Sequence, residues 1–296
     1  MIQPPAPEPP TPQPPALHAL KIDLHTHSHY SDGVLSPTAL VERAAAAGVN
    51  ILALTDHDST AGLAEASRQA DSLGLKLVPG VEISAAWRAQ SIHVLGLWID
   101  PCAVPLERAL ATQAQRRHQR MRNICSRLSE MGLPGESLLA TVQAHPGLPT
   151  RSHLADAMVA MNLARSKADV FKNFLGKGRA AHLAADWPAL DEVIGWILSS
   201  GGVASLAHPA RYLLSAGARR QLIADFAAAG GTSLEVVTGG NAPQHIETCS
   251  ALAVKFGLMG SVGSDFHDPQ LSWNPLGRSL KLPDCITPVW RGYVSE

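Results

Sequence analysis

Short apolar runs alternate with amphipathic segments along most of the chain after residue 19. The runs have the length and the branched residues of buried strands, and the segments between them repeat their apolar positions with helical period. The predicted strands lie at residues 21–24, 49–54, 75–79, 92–99, 203–207, 233–237 and 258–262. The predicted helices lie at residues 36–48, 60–73, 189–200, 216–229 and 243–256. This alternation predicts an α/β protein whose parallel sheet closes into a barrel.

Residues 103–186 interrupt this alternation. The region shows helical patterns without clear strands, at residues 106–131, 136–144, 152–161 and 166–175. We interpret it as a helical insertion domain that divides a barrel formed by residues 19–102 and 187–296.

The first helix of the insertion is rich in arginine. Its arginines share the helix with apolar residues such as Met121 and Leu128, and they are Arg116, Arg117, Arg120, Arg122 and Arg127. One interpretation is a helix that contacts phosphate groups. The other is an amphipathic helix with a solvated basic face, and we favour this second interpretation.

Composition narrows the class of protein. Residues 1–18 are rich in proline and have neither the basic start nor the apolar core of a secretory signal, so we predict a disordered tail. A net charge of −1 argues against a general affinity for nucleic acid or anionic membranes. The four cysteines are scattered, which predicts reduced thiols in a cytoplasmic protein. Nothing indicates a membrane span, a DNA-binding domain or an obligate protein partner.

Nine side chains of metal-ligand type follow the predicted strands. Thirteen histidines are many for 296 residues, and six of them belong to this set. The set consists of His25, His27, Asp32, His57, Glu82, His93, His208, Asp265 and His267. Imidazole and carboxylate are ligands that Zn²⁺, Mn²⁺ and Fe²⁺ accept together. Because the carboxyl ends of barrel strands meet at one mouth, we predict that these side chains converge on a multinuclear metal site.

The local sequence around each ligand suggests its role. In Asp-Leu-His-Thr-His the two-residue period of a strand puts Asp23 behind His25 and His27, as an acceptor that orients them or a distant ligand. Asp56 and Asp58 flank His57, and we expect them to orient it or to face the substrate. Asp58 would also suit the cap of the next helix.

Two ligands lie in apolar surroundings. The apolar neighbours of Glu82 point it inward, where a carboxylate needs a cation, and its two oxygens suit it to bridge two ions. His93 lies within Ile-His-Val-Leu-Gly, where a buried histidine that donates to a backbone carbonyl is the usual explanation.

These motifs resemble those of the PHP (polymerase and histidinol phosphatase) family of metal-dependent phosphoesterases. Within it, the chain is most similar to the branch of 3′,5′-nucleotide bisphosphate phosphatases and 5′–3′ exoribonucleases. The resemblance implies a distorted (β/α)7 barrel with two or three divalent ions, Mn²⁺ first and Zn²⁺ or Fe²⁺ as alternatives. The implied groups of ligands are, for the first ion, His25, His27, Glu82 and Asp265; for the second, Asp32, His57 and His208; for the third, Glu82, His93 and His267.

The same resemblance assigns substrate contacts to the insertion. The Arg-x-His element is matched by Arg151 and His153, and the Gly-Lys-Gly-Arg element is matched by Lys177 and Arg179. Guanidinium groups bind phosphate oxygens in a bidentate manner. These four residues are therefore the candidates to bind substrate phosphates.

The expected reaction is attack on phosphorus by a hydroxide that bridges the metal ions, without a covalent intermediate. Among the ligands, His57, His208 and Asp265 are assigned to catalysis. The expected substrates are nucleoside 3′,5′-bisphosphates, which lose the 3′-phosphate, or short 5′-phosphorylated RNA. One alternative is a histidinol-phosphate phosphatase. An alternative of another class is a metal-stabilised binding module without catalysis, against which the complete ligand set argues.

Overall fold

The computed structural model describes residues 20–271, 274–278 and 280–293. The predicted tail at residues 1–18 lies outside these ranges. The strands are β1 (Ile22–Asp23), β2 (Ile51–Leu54), β3 (Lys76–Trp87), β4 (Gln90–Leu97), β5 (Val203–Leu206), β6 (Ser233–Thr238) and β7 (Met259–Gly263). The α-helices are α1 (Pro37–Ala46), α2 (Leu63–Leu73), α3 (Val104–Glu130), α4 (Gly135–Gln143), α5 (Arg151–Ala160), α6 (Lys167–Val170), α7 (Leu190–Ser199), α8 (Ala216–Ala228) and α9 (Pro243–Phe256).

The seven strands form one sheet that closes on itself. Neighbours in the sheet follow the order of the chain, from β1 to β7. Closure occurs where the Leu24 N–H donates to the Val262 carbonyl at 2.9 Å and where Thr26 pairs with Phe266 in parallel. The predicted distorted barrel is thereby confirmed.

The prediction of an all-parallel sheet is wrong for β4. This strand pairs antiparallel with both β3 and β5. The reason is that only two residues separate β3 from β4, and such a turn permits a hairpin but not the crossover that parallel strands need. The third strand also continues to Trp87, so Glu82 and His93 lie within strands rather than at strand ends.

Capping residues set some of the helix ends. Ser36 accepts the Ala39 N–H at 3.1 Å and precedes Pro37 at the start of α1. Gly74 and Gly257 end α2 and α9 with a φ of 65° each, a left-handed conformation that glycine adopts without strain. These short, well-terminated helices pack outside the barrel, and their apolar faces complete its core.

The helices of the inserted region have an apolar cluster of their own. Met121, Ile124 and Leu128 of α3 belong to it, together with residues of α4, α5 and the π-helical segment Phe171–Leu175. Leu106 and Leu110, at the start of the same helix, belong instead to the core of the barrel. A single helix of 27 residues therefore connects the two apolar clusters. Within the described ranges, no helix has the length and apolar character required to cross a membrane.

A glycine where the barrel closes tests this packing. A Cβ at Gly263 would overlap the Cβ of His25 and the Oε1 of Glu235. We expect Gly263→Ala to lower the free energy of unfolding by about 1–3 kcal/mol, as overpacking does, in urea titrations followed by tryptophan fluorescence. Gly217→Ala, in an open helical position, is the control, and it should be neutral or stabilise by up to about 1 kcal/mol. Equal midpoints for the two variants would contradict this account.

Candidate functional site

The nine predicted ligands, called here the ligand cluster, meet at the carboxyl end of the barrel. Their nitrogen and oxygen atoms fall into overlapping groups whose members lie within 4.8 Å of one another. These groups are His27, Asp32, His57 and His267; His25, Glu82 and His208; His25, His27 and Asp265; and His57, Glu82 and His93. The structure therefore brings together every side chain of the predicted set.

Glu82 lies at the centre of the ligand cluster and is fully buried. Its Oε2 lies 2.9 Å from His57 Nδ1 and 3.3 Å from the Nε2 atoms of both His25 and His27. Its Oε1 lies 3.0 Å from ring nitrogens of two further histidines, His93 and His208. The hairpin explains this position, because β3 continues beyond the end of β2 and holds Glu82 beside His57.

Several buried atoms of the ligand cluster have no hydrogen-bond partner. They are His25 Nε2, His27 Nε2, Asp32 Oδ1, His57 Nδ1, Glu82 Oε2, His93 Nδ1 and His208 Nδ1. Buried polar atoms are normally paired, and an unpaired one costs about 1–3 kcal/mol. All seven atoms belong to residues of the close groups described above. Imidazole nitrogens and carboxylate oxygens directed at common points fit divalent cations.

Two histidines lie away from the groups that the resemblance implied for them. His267 Nε2 lies 3.2 Å from Asp32 Oδ1, and its ring stacks on that of His27 at 4.1 Å. His208 lies instead on the Glu82 and His93 side. Strand order is the physical reason. His208 follows β5, which neighbours β4, whereas His267 follows β7, which neighbours β1.

Three residues at the site have a left-handed backbone that residues other than glycine rarely adopt. The φ values are 50° at Asp58, 31° at His208 and 56° at Asp265. Such conformations persist only where surrounding contacts hold them. Asp265 is bonded by the Arg211 guanidinium, and the His208 N–H donates to Glu235 at 2.6 Å.

Asp23 and Asp56, two of the three aspartates beside the ligands, accept hydrogen bonds from neighbouring backbone N–H groups. Asp23 accepts the Ser264 N–H at 2.8 Å and makes no bond to an imidazole, so it links β1 to the end of β7. Burial raises its pKa to about 6 against the hydrogen bonds from Ser264. Asp56 accepts from Ser28 and from the Ser31 hydroxyl at 2.6 Å. It therefore fixes the loop after β1.

Asp58 does not cap a helix. Its Oδ1 accepts the Ser84 N–H at 2.8 Å and the Gln113 side chain at 3.2 Å, and its Oδ2 accepts from Arg117 at 2.6 Å. Gln113 and Arg117 belong to α3. The residue directly after His57 is therefore bonded to the first helix of the inserted region.

We favoured the interpretation that the arginines of α3 form a solvated basic face. This interpretation is wrong for Arg117 and Arg120. Arg117 is 8% exposed, because it pairs with Asp58 and donates to the Ser84 hydroxyl. Arg120 is half-buried and donates to the Leu183 carbonyl at 2.9 Å. Arg122 and Arg127 are exposed, as that interpretation requires. Helical period alone does not reveal which basic residues find a partner in another element.

Sequence reasoning missed Glu235, a fully buried residue of β6. Its Oε1 lies 3.1 Å from His25 Nδ1, where it fixes the ring through the nitrogen that does not face Glu82. The signal was present, because Glu235 stands between Leu234 and Val236 as Glu82 stands between two apolar residues. Tyr212 was also missed, and its hydroxyl accepts the N–H of His93 at 2.8 Å.

The four predicted substrate contacts fall into two places. Arg151 is half-buried at the start of α5, and His153 is buried with its Nδ1 accepting the Thr150 N–H at 3.3 Å. Lys177 and Arg179 are exposed in the turn after the π-helical segment. The structure therefore brings Arg151 and His153 together on one helix and leaves the other two at the surface.

Some imidazoles of the ligand cluster have raised pKa values, whereas burial lowers the pKa of His27 to about 3. Burial alone would lower the pKa of His25, but neighbouring carboxylates, Glu82 foremost, raise it well above its usual value. Burial would raise the pKa of Glu82, and the imidazoles of His93 and His25 hold it well below its usual range. Against the effect of burial, Asp32 raises the pKa of His267 to about 9. A divalent cation would replace such protons.

Comparison with known proteins bears on this site. The PHP domain model matches residues 23–200. The 5′–3′ exoribonuclease Rnm of Escherichia coli (strain K12) is 42% identical over 276 residues, which are 93% of this chain and 94% of the relative. The chain belongs to the PHP family. The predicted family is confirmed, and with it the predicted enzyme class, a hydrolase of phosphoric esters.

Two further proteins match most of this chain. The 3′,5′-nucleoside bisphosphate phosphatase of Chromobacterium violaceum is 36% identical over 272 residues, 91% of this chain and 95% of the relative. A solved structure, described as an amidohydrolase from Chromobacterium violaceum with bound sulfate and no metal, has a TM-score of 0.86 and 36% identity. It covers 92% of this chain and 95% of its own. Both matches include the barrel and the inserted region.

Metal binding should release protons. At pH 7.5 the pKa of His25, well above its usual value, and the pKa of His267, about 9, keep these two imidazoles protonated before a cation binds. We expect Mn²⁺ to displace on the order of two protons per chain. Calorimetric titrations in two buffers of different ionisation enthalpy measure this number. Binding heats that do not depend on the buffer would contradict the prediction.

Replacing Glu235 should weaken metal binding. Glu235→Gln removes the carboxylate that fixes His25, and we expect a loss of about 10–100-fold in affinity for Mn²⁺, measured by competition with a fluorescent chelator. Glu247→Gln is the matched control, because Glu247 is exposed on α9. An unchanged affinity in Glu235→Gln would show that His25 needs no such partner.

Proposed function

We propose that this PHP protein hydrolyses nucleotides that carry phosphate at both the 3′ and the 5′ position. It releases the 3′-phosphate of nucleoside 3′,5′-bisphosphates, and by the same chemistry it removes nucleotides from the 5′ end of short 5′-phosphorylated RNA. The observation that carries the proposal is the cluster of unpaired buried nitrogen and oxygen atoms around Glu82. The names of two relatives, an exoribonuclease and a nucleoside bisphosphate phosphatase, support the substrate class.

The ligand cluster has donors for two or three divalent ions, with Mn²⁺ as our first candidate and Zn²⁺ or Fe²⁺ as alternatives. We assign one ion to His27, Asp32, His57 and His267, a second to His25, His27, Glu82 and Asp265, and a third to Glu82, His93 and His208. When bound, divalent ions lower the pKa of water and neutralise charge on phosphoryl oxygens.

We assign the positioning of the reacting phosphate to three of the ligands. His57, His208 and Asp265 stay our candidates for the ligands nearest to the reacting phosphate, and two of them are held by strained backbone. The loop before α5 contacts the loop after β1, two residues before Asp32, because the Leu148 N–H donates to the Tyr30 carbonyl at 3.1 Å. This contact supports our assignment of residues 103–186 to substrate binding.

We assign the contacts with the remaining substrate phosphates to the inserted region. Arg151 and His153 lie at the start of α5, and burial lowers the pKa of His153 to about 4 against the opposing effect of Asp32, a member of the ligand cluster. The exposed Lys177 and Arg179 would contact parts of a longer substrate that extend to the surface. The four cysteines are free, which supports our expectation of a cytoplasmic location.

Turnover by the purified protein with Mn²⁺ tests the proposal. Adenosine 3′,5′-bisphosphate, a short 5′-phosphorylated RNA and histidinol phosphate are compared by release of phosphate and nucleotide. We expect hydrolysis of the first two only. His57→Ala should lower the rate on the order of 1000-fold, since it removes a ligand of the cluster, whereas His245→Ala, an exposed histidine on α9, should not.

Two results would overturn the proposal. Hydrolysis of histidinol phosphate alone would identify a phosphatase of that kind instead. Absence of turnover of all three compounds, with metal bound, would favour a binding module without catalysis.

A further inference from the structure

Positive charge is concentrated in the inserted region. Residues 103–186 contain twelve of the 24 lysines and arginines of the chain but only six of its 25 acidic residues. Their net charge is therefore +6, whereas the rest of the chain carries −7. Of these twelve cations, only Arg117 and Lys167 lie within 4.0 Å of a carboxylate among the described residues. Such asymmetry within one chain indicates an anionic partner for its basic part.

Residues 176–183 extend this positive charge along α3. The Arg127 guanidinium donates to the His182 carbonyl at 2.9 Å, so this segment lies against the helix. Lys177 and Arg179 are exposed in its turn. Burial lowers the pKa of His182, and four neighbouring cations lower it further, namely Arg151, Arg120, Lys177 and Arg127. Several cations therefore surround this one segment.

The exposed end of this basic segment lies far from the ligand cluster. Arg117 is bonded to Asp58, which directly follows His57. Arg127 is ten residues further along the same helix, about 15 Å away at 1.5 Å per residue. A nucleotide chain whose 5′ end lies at the ligand cluster covers this additional distance, whereas a single nucleotide does not.

A cavity of about 680 Å³ adjoins the same segment. The Ala181 N–H donates to the Phe174 carbonyl at 3.2 Å, and the Phe174 side chain lines the cavity. We call it the outer cavity, and the residues that line it include Asn162, Leu163, Arg165, Asp169, Asn173 and Phe174. Its volume is within the range of about 300–1,000 Å³ that is usual for sites of small molecules.

The lining of the outer cavity suits a nucleobase. The half-buried Phe174 offers an aromatic surface, and bases of single-stranded nucleic acids stack on such rings. The exposed Asn162 and Asn173 amides both donate and accept hydrogen bonds, as the edges of bases do. The Asp169 carboxylate accepts hydrogen bonds, which suits an exocyclic amino group, and Arg165 adds a cation for a phosphate. Aromatic surface beside cations is typical of sites for single strands.

We propose that the outer cavity and residues 176–183 bind single-stranded RNA downstream of its 5′ nucleotide. The cavity takes a base, and Arg127, Lys177 and Arg179 take backbone phosphates. This inference rests on the proposed function and adds a site outside the barrel that a nucleoside bisphosphate does not occupy. The two substrate classes thus share the ligand cluster and differ in their use of this outer surface.

Binding of a short RNA tests the two parts of the site separately. The probe is a 5′-phosphorylated hexanucleotide with a 3′ fluorescent label and a phosphorothioate at the first linkage, which slows hydrolysis. Its anisotropy is followed with the Mn²⁺-loaded protein at several salt concentrations. Lys177→Gln should lower the affinity about 3–10-fold and reduce the slope of log affinity against log salt by about 0.7, the effect of one lost phosphate contact. Asn173→Ala should lower the affinity about 3–10-fold and leave the slope unchanged, because it removes a contact with a base.

Arg220→Gln is the matched control for the loss of charge, because Arg220 is exposed on α8, outside the inserted region. It should retain the affinity and the salt slope of wild type. An affinity equal to that of wild type in Lys177→Gln or Asn173→Ala would reject the part of the site to which that residue belongs. Absence of RNA binding by the wild type would reject the whole site.

Turnover separates this site from the reaction itself. The kcat/KM values for the unmodified hexanucleotide and for adenosine 3′,5′-bisphosphate are compared in wild type and Asn173→Ala. We expect the ratio, RNA over bisphosphate, to fall about 3–10-fold in the variant. An unchanged ratio, or an equal loss for both substrates, would overturn the assignment while the proposed function stands. If the wild type hydrolyses neither compound but binds RNA through Lys177 and Asn173, the proposed reaction fails and the RNA site stands.

Discussion

The Glu82 carboxylate, without exposure to solvent and in contact with five imidazoles, is the constraint on which the rest of the site depends. A buried carboxylate is tolerated only when positive charge surrounds it. The β3–β4 hairpin carries Glu82 to the mouth of the barrel, and the neighbouring strands provide histidines on every side. The antiparallel pairing of β3 and β4 places Glu82 among these histidines. The left-handed residues and the buried aspartates lie in and beside the loops that carry the histidines.

Opposite charges meet beside the ligand cluster. The ligand cluster contains the carboxylates of Asp32, Glu82 and Asp265, whereas the Arg117 guanidinium of α3 lies buried against Asp58. The Asp58–Arg117 ion pair therefore connects α3 to the residue that directly follows His57.

Local signals in the sequence were sufficient for the barrel and for the members of the ligand cluster. Apolar runs followed by His or Asp motifs are visible without knowledge of neighbours. Local signals were not sufficient to group the ligands around separate ions. Whether His208 or His267 lies beside His93 depends on the order of the strands in the sheet. The reversed direction of β4 and the extension of β3 to Trp87 have a local cause, a two-residue turn that the predicted strands at residues 75–79 and 92–99 did not include. Glu235 had a readable signal in its two apolar neighbours, whereas the burial of Arg117 depends on Asp58, 59 positions away.

The continuity of α3 has a consequence for how this enzyme can diversify. Its first turns are part of the barrel core, its middle carries Gln113 and Arg117 to the residue after His57, and its last turns pack within the inserted region. At this junction the barrel and residues 103–186 are therefore joined by a continuous helix rather than by a loose linker. A replacement of residues 103–186 would also change the packing of the barrel core, because Leu106 and Leu110 of α3 belong to that core. A displacement of this helix would consequently also move the residue that follows His57, because Gln113 and Arg117 are bonded to it.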